Sequence, residues 1–221
     1  MGSDSGDHLS PGAGDEAAGS DVELGISGFQ GAVEVGRGGF GVVYRAYQPK
    51  FHRTVAIKVL VGAGVDTKTR ERFDRERVAM GAMSAHPNIM TVYDAGYTEF
   101  GHPYIVMEYT PVGSLADVMA TNGPFNASTA VSIAIKMADA LSAAHDTEIL
   151  HRDLKPENIM VSPYGEPMLS DFGIARLMSG PATRTGSVTA SLDHAAPEVI
   201  EGKPPSAASD IYSLASTVYA L

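Results

Sequence analysis

The chain has 221 residues, 44% of them hydrophobic, which is long enough and apolar enough to bury the core of one or two domains. Its formal net charge of −10 argues against a surface that binds nucleic acid or anionic membranes. The sequence contains no cysteine, which excludes disulfide bonds and favours a reducing cytoplasm.

The N-terminal 28 residues are acidic and lack hydrophobic periodicity. They are rich in Gly, Ser, Asp and Ala and contain no Lys or Arg. This composition predicts a disordered, solvated tail over residues 1–28, with an acidic interaction tail as the alternative. No basic region leads into an apolar run and no stretch is apolar enough to span a bilayer, so neither a secretory signal nor a membrane span is expected. We therefore expect a cytoplasmic domain, with a membrane tether beyond residue 221 left open.

The next part of the chain is rich in strand-forming residues. From Phe29 onward, β-branched runs flank a glycine cluster and a further run covers Thr54–Leu60, which predicts a small antiparallel sheet. Asp66–Ser84 is charged and has apolar residues spaced for one inward helical face. Two more strands are predicted over Ile89–Tyr93 and Tyr104–Tyr109, with a Gly-His-Pro turn between them.

The chain changes character after the Pro-Val-Gly sequence at residues 111–113. Helices are predicted over Ser114–Thr121 and over the alanine-rich stretch Ala127–His145. Two short apolar segments follow at Ile159–Val161 and Met168–Leu169.

Together these elements predict an α+β fold of two lobes. A β-rich N-lobe (29–109) would lead through a hinge (108–113) into a mostly α C-lobe (114–221).

The glycine cluster at Gly36–Val43 reads GRGGFGVV. Glycines at these spacings let backbone amides approach phosphate groups without interference from a Cβ atom. A dinucleotide-binding fingerprint requires a helix directly after the glycines, whereas here a strand-like run follows. The cluster therefore predicts a turn between two strands that covers a nucleotide, and a glycine-rich hairpin without a ligand is the alternative.

Lys58 ends the sequence Val-Ala-Ile-Lys in the third predicted strand. Flanked by apolar residues, it is placed to point into a cleft between the lobes and hold phosphates, although an exposed edge charge is the alternative. Such a lysine needs a carboxylate partner, which the following helix offers at Glu71, Asp74 and Glu76. We favour Glu76, because Met80 one turn later shares its inward face, and a charged surface stripe is the competing interpretation.

The strongest motif is the sequence HRDLKPEN at His151–Asn158, followed by Asp-Phe-Gly at residues 171–173. Phosphoryl transfer needs a group that orients the hydroxyl and accepts its proton, and Asp153 suits that role. Lys155 is placed to stabilise the transferred phosphoryl group. Asn158 and Asp171 supply the oxygen ligands that Mg²⁺ prefers.

These motifs resemble those of the protein kinase superfamily, and their order is the family's. The resemblance covers about residues 29–221. Within it, the sequence is most similar in character to bacterial, particularly actinobacterial, serine/threonine kinases of the eukaryotic type. It implies the bilobal kinase fold, with ATP and Mg²⁺ (or Mn²⁺) used to phosphorylate protein serine and threonine hydroxyls. Specificity for these hydroxyls is implied by Lys155, and Ser191 falls where the family has a hydroxyl that bridges Asp153 and Lys155.

The resemblance also implies roles by position. The implied catalytic residues are Asp153, Lys155, Lys58 and Glu76, and the implied metal ligands are Asn158 and Asp171. The implied nucleotide site comprises Val35, Gly36, Gly38, Gly39, Phe40, Gly41, Val43, Ala56, Lys58, Met107, Glu108, Tyr109, Thr110 and Met160. Within it, Met107 is the gatekeeper and residues 108–110 the hinge. Met80, Val92, His151 and Phe172 would stack as an apolar spine, and Asp210 would anchor the catalytic loop.

Regulation is implied by Arg152, which in the family is often neutralised by a phosphorylated activation segment. The residues expected to be autophosphorylated are Thr183, Thr185 or Thr189, and a flexible, unregulated loop is the alternative. Phosphorylation of one copy by another admits a homodimer.

Two departures from the family pattern stand out. Residues 190–194 read Ala-Ser-Leu-Asp-His where the family has a Gly-Thr-x-x-Tyr pattern, which concerns substrate docking rather than chemistry. Leu221 falls inside the expected central helix, so the C-lobe is expected to be incomplete. The alternative function is therefore a truncated, catalytically impaired module that binds a nucleotide or a partner.

Overall fold

The computed structural model describes residues 21–39, 41–61, 67–172 and 192–221. The N-lobe is built on an antiparallel sheet, as the sequence predicted, and its five strands lie in the order β1-β2-β3-β5-β4. Its strands are β1 (Gln30–Gly38), β2 (Gly41–Gln48), β3 (Arg53–Leu60), β4 (Val92–Tyr97) and β5 (Pro103–Glu108). Helix α1 (Thr67–Met83) lies between β3 and β4 in the chain.

The central strand β3 is buried along its last six residues because both faces of the sheet are covered. Val55, Ile57 and Val59 belong to an apolar cluster on one face. Ala56 and Leu60 belong to a cluster on the other face, which also contains Phe73 of α1. Successive side chains of a strand point to opposite faces, so Lys58 lies on the same face as Ala56 and Leu60.

Residues 21–28 pack against the sheet, so the predicted disordered tail over 1–28 is wrong for this segment. Leu24 and Ile26 contact the apolar cluster that contains Val55 and Ile57. The amide of Val22 donates to the Ala32 carbonyl at 2.8 Å, and the Glu99 amide donates to the Gly25 carbonyl at 2.9 Å. The composition of the segment is polar, but two of its three aliphatic residues, Leu24 and Ile26, cover a sheet face that would otherwise meet water.

The strand predicted over Ile89–Tyr93 begins later than expected, at Val92. Ile89 instead forms a parallel bridge with Leu169, and the Met90 amide donates to the Leu169 carbonyl at 2.8 Å. Ile89 and Met90 are buried, which explains their apolar character without a place in the N-lobe sheet. This stretch joins the two lobes.

The C-lobe is mostly helical, as predicted. The helices in its described part are α2 (Leu115–Asn122), α3 (Ala127–Asp146), α4 (Pro197–Ile200) and α5 (Ala207–Ala220), and β6 (Ile159–Val161) pairs with β7 (Pro167–Leu169). Ser114 caps α2 in a reciprocal capping box with Asp117, which satisfies two amides at the start of the helix. Among the described residues, no helix combines the length and the apolar character that crossing a membrane requires.

The core of the C-lobe places the loop that precedes β6. Met137 and Leu141 of α3 are fully buried in one cluster with Leu154 and Ile159. The loop at residues 151–158 is therefore held to this apolar layer at Leu154 and directly after its end at Ile159, which restricts how the loop can move.

Candidate active site

A cavity of about 440 Å³ separates the inner face of the N-lobe sheet from β6 and the end of β7. Most of the residues assigned to a nucleotide site line it, namely Val35, Gly36, Val43, Ala56, Lys58, Met107, Glu108, Tyr109, Thr110 and Met160. Gly38 and Gly39 lie exposed at the tip of the β1–β2 turn, and Gly41 is buried at the start of β2, all three outside that lining. Phe40 lies outside the described residues.

Two of the glycines are needed for different reasons. A Cβ atom on Gly41 would lie 2.2 Å from the Val59 carbonyl oxygen, so only glycine lets β2 pair this closely with β3. A Cβ atom on Gly36 would meet nothing within 4 Å, although Gly36 lines the cavity. The missing side chain at Gly36 therefore leaves room for a ligand rather than for the protein itself.

Lys58 is 6% exposed, and its Nζ atom lies 2.5 Å from Oδ2 of Asp171. The pair joins β3 to the segment after β7, across the cavity. Glu76, the partner expected from the sequence, belongs to α1, but its side chain lies outside the described part of the chain. Among the described side chains, the carboxylate that Lys58 contacts is that of Asp171.

The loop that carries Asp153 is a compact polar unit. Lys155 Nζ lies 3.1 Å from Asp153 Oδ2, and the two side chains are 16% and 9% exposed. The side-chain amide nitrogen of Asn158, Nδ2, donates to the backbone carbonyl of Asp153 at 2.6 Å and to Asp153 Oδ2 at 3.0 Å. Since these bonds use the amide nitrogen, Oδ1 is the atom of Asn158 that remains suited to a metal.

The sheet of the C-lobe brings Asn158 close to Asp171. The amide and the hydroxyl of Ser170 both donate to the Asn158 carbonyl, at 2.9 and 3.0 Å. Among the described residues no group of three or more His, Cys, Asp or Glu side chains could hold a metal alone. One carboxylate and one amide oxygen fit Mg²⁺, which keeps waters and shares its remaining positions with substrate phosphates.

Asp210 fixes the start of the catalytic loop from α5. Its Oδ2 accepts from the His151 amide and its Oδ1 from the Arg152 amide, both at 2.8 Å. The carboxylate is 2% exposed, so these bonds are made away from water. They hold Arg152 at a φ of 70°, which is rare for a residue with a side chain and costs about 1–3 kcal/mol.

Sequence reasoning missed a further contact of Asp210. His145, at the end of α3, has its Nε2 atom 2.9 Å from Asp210 Oδ2. His145 therefore connects α3 to α5 at the carboxylate that holds the catalytic loop. A histidine six residues before the His-Arg-Asp motif was the available signal.

His151 is fully buried, and burial lowers the pKa of its imidazole below the ordinary value, against the opposing effect of the Asp210 carboxylate. In the neutral form, Nε2–H donates to the Ser170 carbonyl at 2.9 Å and Nδ1 accepts from the Asp153 amide at 3.4 Å. A neutral ring is therefore the form that satisfies both neighbours. It positions the backbone of Asp153 rather than exchanging protons.

Two members of the predicted spine are in contact. The rings of His151 and Phe172 meet edge to face with their centres 4.8 Å apart. Val92 lies with Phe172 around a small apolar cavity of about 30 Å³ behind Met107. The side chain of Met80 lies outside the described part, as do Thr183, Thr185, Thr189 and Ser191.

Comparison with known proteins shows which family has this sequence pattern. A family model described as "Protein kinase domain" matches residues 29–221. The chain is 49% identical over 198 residues to "Serine/threonine-protein kinase PknK" of Mycobacterium tuberculosis, covering 90% of this chain and 18% of that protein. It is 38% identical over 191 residues to "Serine/threonine-protein kinase PknB" of Mycobacterium leprae, covering 84% of this chain and 30% of that protein.

A solved structure supports the fold. The kinase domain of PknI from M. tuberculosis superposes with a TM-score of 0.71 at 30% identity, covering 90% of this chain and 75% of that one. The chain spans less than a third of the length of the two curated relatives. The predicted bilobal fold and the predicted resemblance to actinobacterial kinases are both confirmed. The chain belongs to the protein kinase domain family.

Proposed function

We propose that this chain transfers the γ-phosphate of ATP to serine and threonine hydroxyls of proteins. The observation that carries the proposal is that Lys155 Nζ and Asn158 Nδ2 each lie within 3.1 Å of Asp153 Oδ2, beside a cavity lined by Lys58 and Asp171. Two mycobacterial relatives carry the name serine/threonine-protein kinase, which supports the choice of hydroxyl.

Asp153 would orient the substrate hydroxyl and accept its proton as the oxygen attacks the γ-phosphorus. The new oxygen–phosphorus bond forms as the bond to the β-phosphate oxygen breaks, which releases ADP. Lys155 lies against Asp153, so its ammonium group is placed to stabilise charge on the transferred phosphoryl group.

Lys58 would contribute a buried positive charge to the phosphates of the bound nucleotide. It is held on β3 beside Ala56, which lies on the same sheet face and lines the same cavity. Mg²⁺, or Mn²⁺ in its place, supplies charge neutralisation at the phosphate oxygens when bound, and Asn158 and Asp171 are the residues that would hold it. Met107 and residues 108–110 would border the adenine ring.

Regulation belongs to the same proposal. Autophosphorylation at Thr183, Thr185 or Thr189 would place a negative charge near Arg152, and it would require one copy to meet another. The domain would work in the cytoplasm, which a cysteine-free sequence supports. Phosphopeptide mapping of active protein tests the sites, and the absence of phosphate from all three would reject this part.

The experiment that tests the function compares the wild-type chain with Asp153→Asn. Radiolabelled ATP and Mg²⁺ are supplied with mixed peptides that carry serine, threonine or tyrosine. We expect transfer to serine and threonine by the wild type and a loss of at least about 100-fold in Asp153→Asn, with ATP binding retained. Equal transfer by both proteins would reject the role of Asp153. ATP binding without transfer by the wild type would favour the nucleotide-binding module instead.

A further inference from the structure

Three hydrogen bonds at regular spacing join strand β4 to helix α1 and to Ser84, the residue that directly follows the helix. The Tyr97 hydroxyl donates to the Arg70 carbonyl at 3.3 Å, and Arg77 Nη1 donates to the Ala95 carbonyl at 3.2 Å. Just beyond the helix, the Val92 amide donates to the Ser84 hydroxyl at 3.1 Å.

The helix positions in these bonds are seven residues apart, which is two turns or about 10 Å along one face. The strand positions 97, 95 and 92 are separated by two and three residues, or about 7–10 Å. Helix and strand therefore run in opposite directions with matched spacing. A rotation of α1 by a single residue, about 100°, would break the alignment at all three points.

Tyr97 contacts α1 through its ring as well as through its hydroxyl. Its ring meets the edge of Phe73 at 5.3 Å between centres, and the Arg70 guanidinium lies 5.0 Å from the ring centre. Phe73 is 1% exposed, so the contact reaches the buried side of the helix. Tyr97 thus contacts α1 at two places, at the exposed Arg70 carbonyl and at the buried Phe73 ring.

Glu76 occupies a position that this alignment controls. Positions 73, 76, 80 and 83 form one stripe along the helix, and the two members with described side chains, Phe73 and Met83, are both buried. The phase of the stripe against the sheet decides whether position 76 faces the cavity that Lys58 lines.

We propose that Tyr97, assisted by Arg77, is a positioning residue for phosphoryl transfer, because it fixes the rotation of α1 and so the placement of Glu76. This rests on the proposed kinase function. Tyr97 is not a catalytic residue, because it lies on β4 outside the lining of the cavity and acts only through the helix.

The first test is steady-state kinetics of the full chain. In Tyr97→Ala we expect kcat to fall about 10-fold or more, with KM for ATP changed less than about threefold, because a misplaced positioning group costs rate rather than binding. Tyr97→Phe keeps the ring contact with Phe73. Its decrease in log kcat should therefore be less than half of the decrease in Tyr97→Ala. The matched control is Tyr93→Ala, which removes an aromatic residue of the same strand that stacks on Arg53 instead of on α1.

A double-mutant cycle asks whether the effect passes through Glu76. In a Glu76→Gln background, Tyr97→Ala should lower kcat by less than about twofold further, since the group it positions is already disabled. Independent, multiplying losses would overturn the proposal. If Tyr97→Ala does not fold, the same cycle is run with Tyr97→Phe and Arg77→Met.

A measurement without turnover separates this proposal from the proposed function. Hydrogen–deuterium exchange of the α1 amides should be at least about fivefold faster in Tyr97→Ala than in the wild type and unchanged in Tyr93→Ala. Unchanged exchange in α1 would overturn the positioning role even in an active kinase. Faster exchange in a chain that transfers no phosphate would support the role of Tyr97 in holding α1 while rejecting the kinase function.

Discussion

Lys58 and Asp171 form an ion pair across the candidate active site, with Nζ and Oδ2 2.5 Å apart although the two residues are 113 positions apart in the chain. One partner belongs to the N-lobe sheet and the other to the segment that follows β7. The fold therefore brings together the two charged side chains to which the proposed function assigns the phosphates and the metal. A bound nucleotide would compete for both partners of this pair.

Lys58→Met should abolish most phosphate transfer. We expect kcat/KM to fall at least about 100-fold, because a preorganised charge at the phosphates is lost. Stability should fall by about 2 kcal/mol, since Asp171 keeps a largely buried carboxylate without its partner. Transfer assays and urea unfolding measure the two effects.

The control for this change is Lys203→Met. Lys203 pairs with Glu201 at 2.8 Å, but both side chains are more than 60% exposed. An exposed pair contributes little, so neither activity nor stability should change by more than about 0.5 kcal/mol. A similar loss in both variants would mean that the buried position of Lys58 carries no special role.

Asp210→Ala should disorder the catalytic loop without touching the nucleotide cavity. The amides of His151 and Arg152 would lose their acceptor in a buried place, which costs about 3 kcal/mol in total. We expect ATP binding to weaken less than kcat, because Asp153 lies next to these amides. Urea unfolding and transfer kinetics give both values.

Asp139→Ala is the matched control for Asp210→Ala. Asp139 also lies beside a histidine, His86, at 3.3 Å, but its side chain is 74% exposed. Its removal should cost less than about 1 kcal/mol. If Asp210→Ala were equally mild, the carboxylate would not be what holds the loop.

Stability should decrease as the pH falls below the ordinary histidine pKa of about 6.5. Burial lowers the pKa of His151 in the folded state, so between the two pKa values the unfolded chain binds a proton that the folded chain does not. The contribution of the neutral His151 ring to the free energy of unfolding is therefore fully present above pH 6.5. It declines as the pH falls, by up to about 1.4 kcal/mol per pH unit. Urea unfolding at pH 7.5, 6.5 and 5.5 measures the slope.

The His151→Phe variant should show a smaller decline over the same pH range, whatever its stability at pH 7.5. His52→Asn serves as the control, because His52 is exposed and asparagine tolerates its φ of 49°. A slope unchanged by His151→Phe would contradict the assignment of the neutral, buried form.

Gly41→Ala should lower the free energy of unfolding more than Gly38→Ala does. The new Cβ atom at position 41 would lie 2.2 Å from the Val59 carbonyl oxygen, whereas at position 38 it would meet nothing within 4 Å. We expect a loss of about 3 kcal/mol or more for Gly41→Ala and less than about 1 kcal/mol for Gly38→Ala. Thermal unfolding of the two variants compares them directly, and equal values would contradict the close pairing of β2 and β3.

The sequence alone determined the lobes, the order of the elements and the motif residues, because each depends on local information. Strand and helix periodicity, the hinge sequence and the spacing of the motif at 151–158 are all readable along the chain. Errors arose where distant contacts decide. Residues 21–28 resemble a disordered tail in composition, yet Leu24 and Ile26 cover the face of the N-lobe sheet that carries Val55 and Ile57.

Only the tertiary structure decided which charges meet. A sequence offers Lys58 several carboxylates, and the nearest in the chain are those of α1, whereas the described contact is to Asp171 across the cleft. The same holds for His145 and Asp210, which 64 intervening residues separate and one hydrogen bond joins. Ion pairs depend on the inverse of distance in space, which chain folding sets and residue order does not.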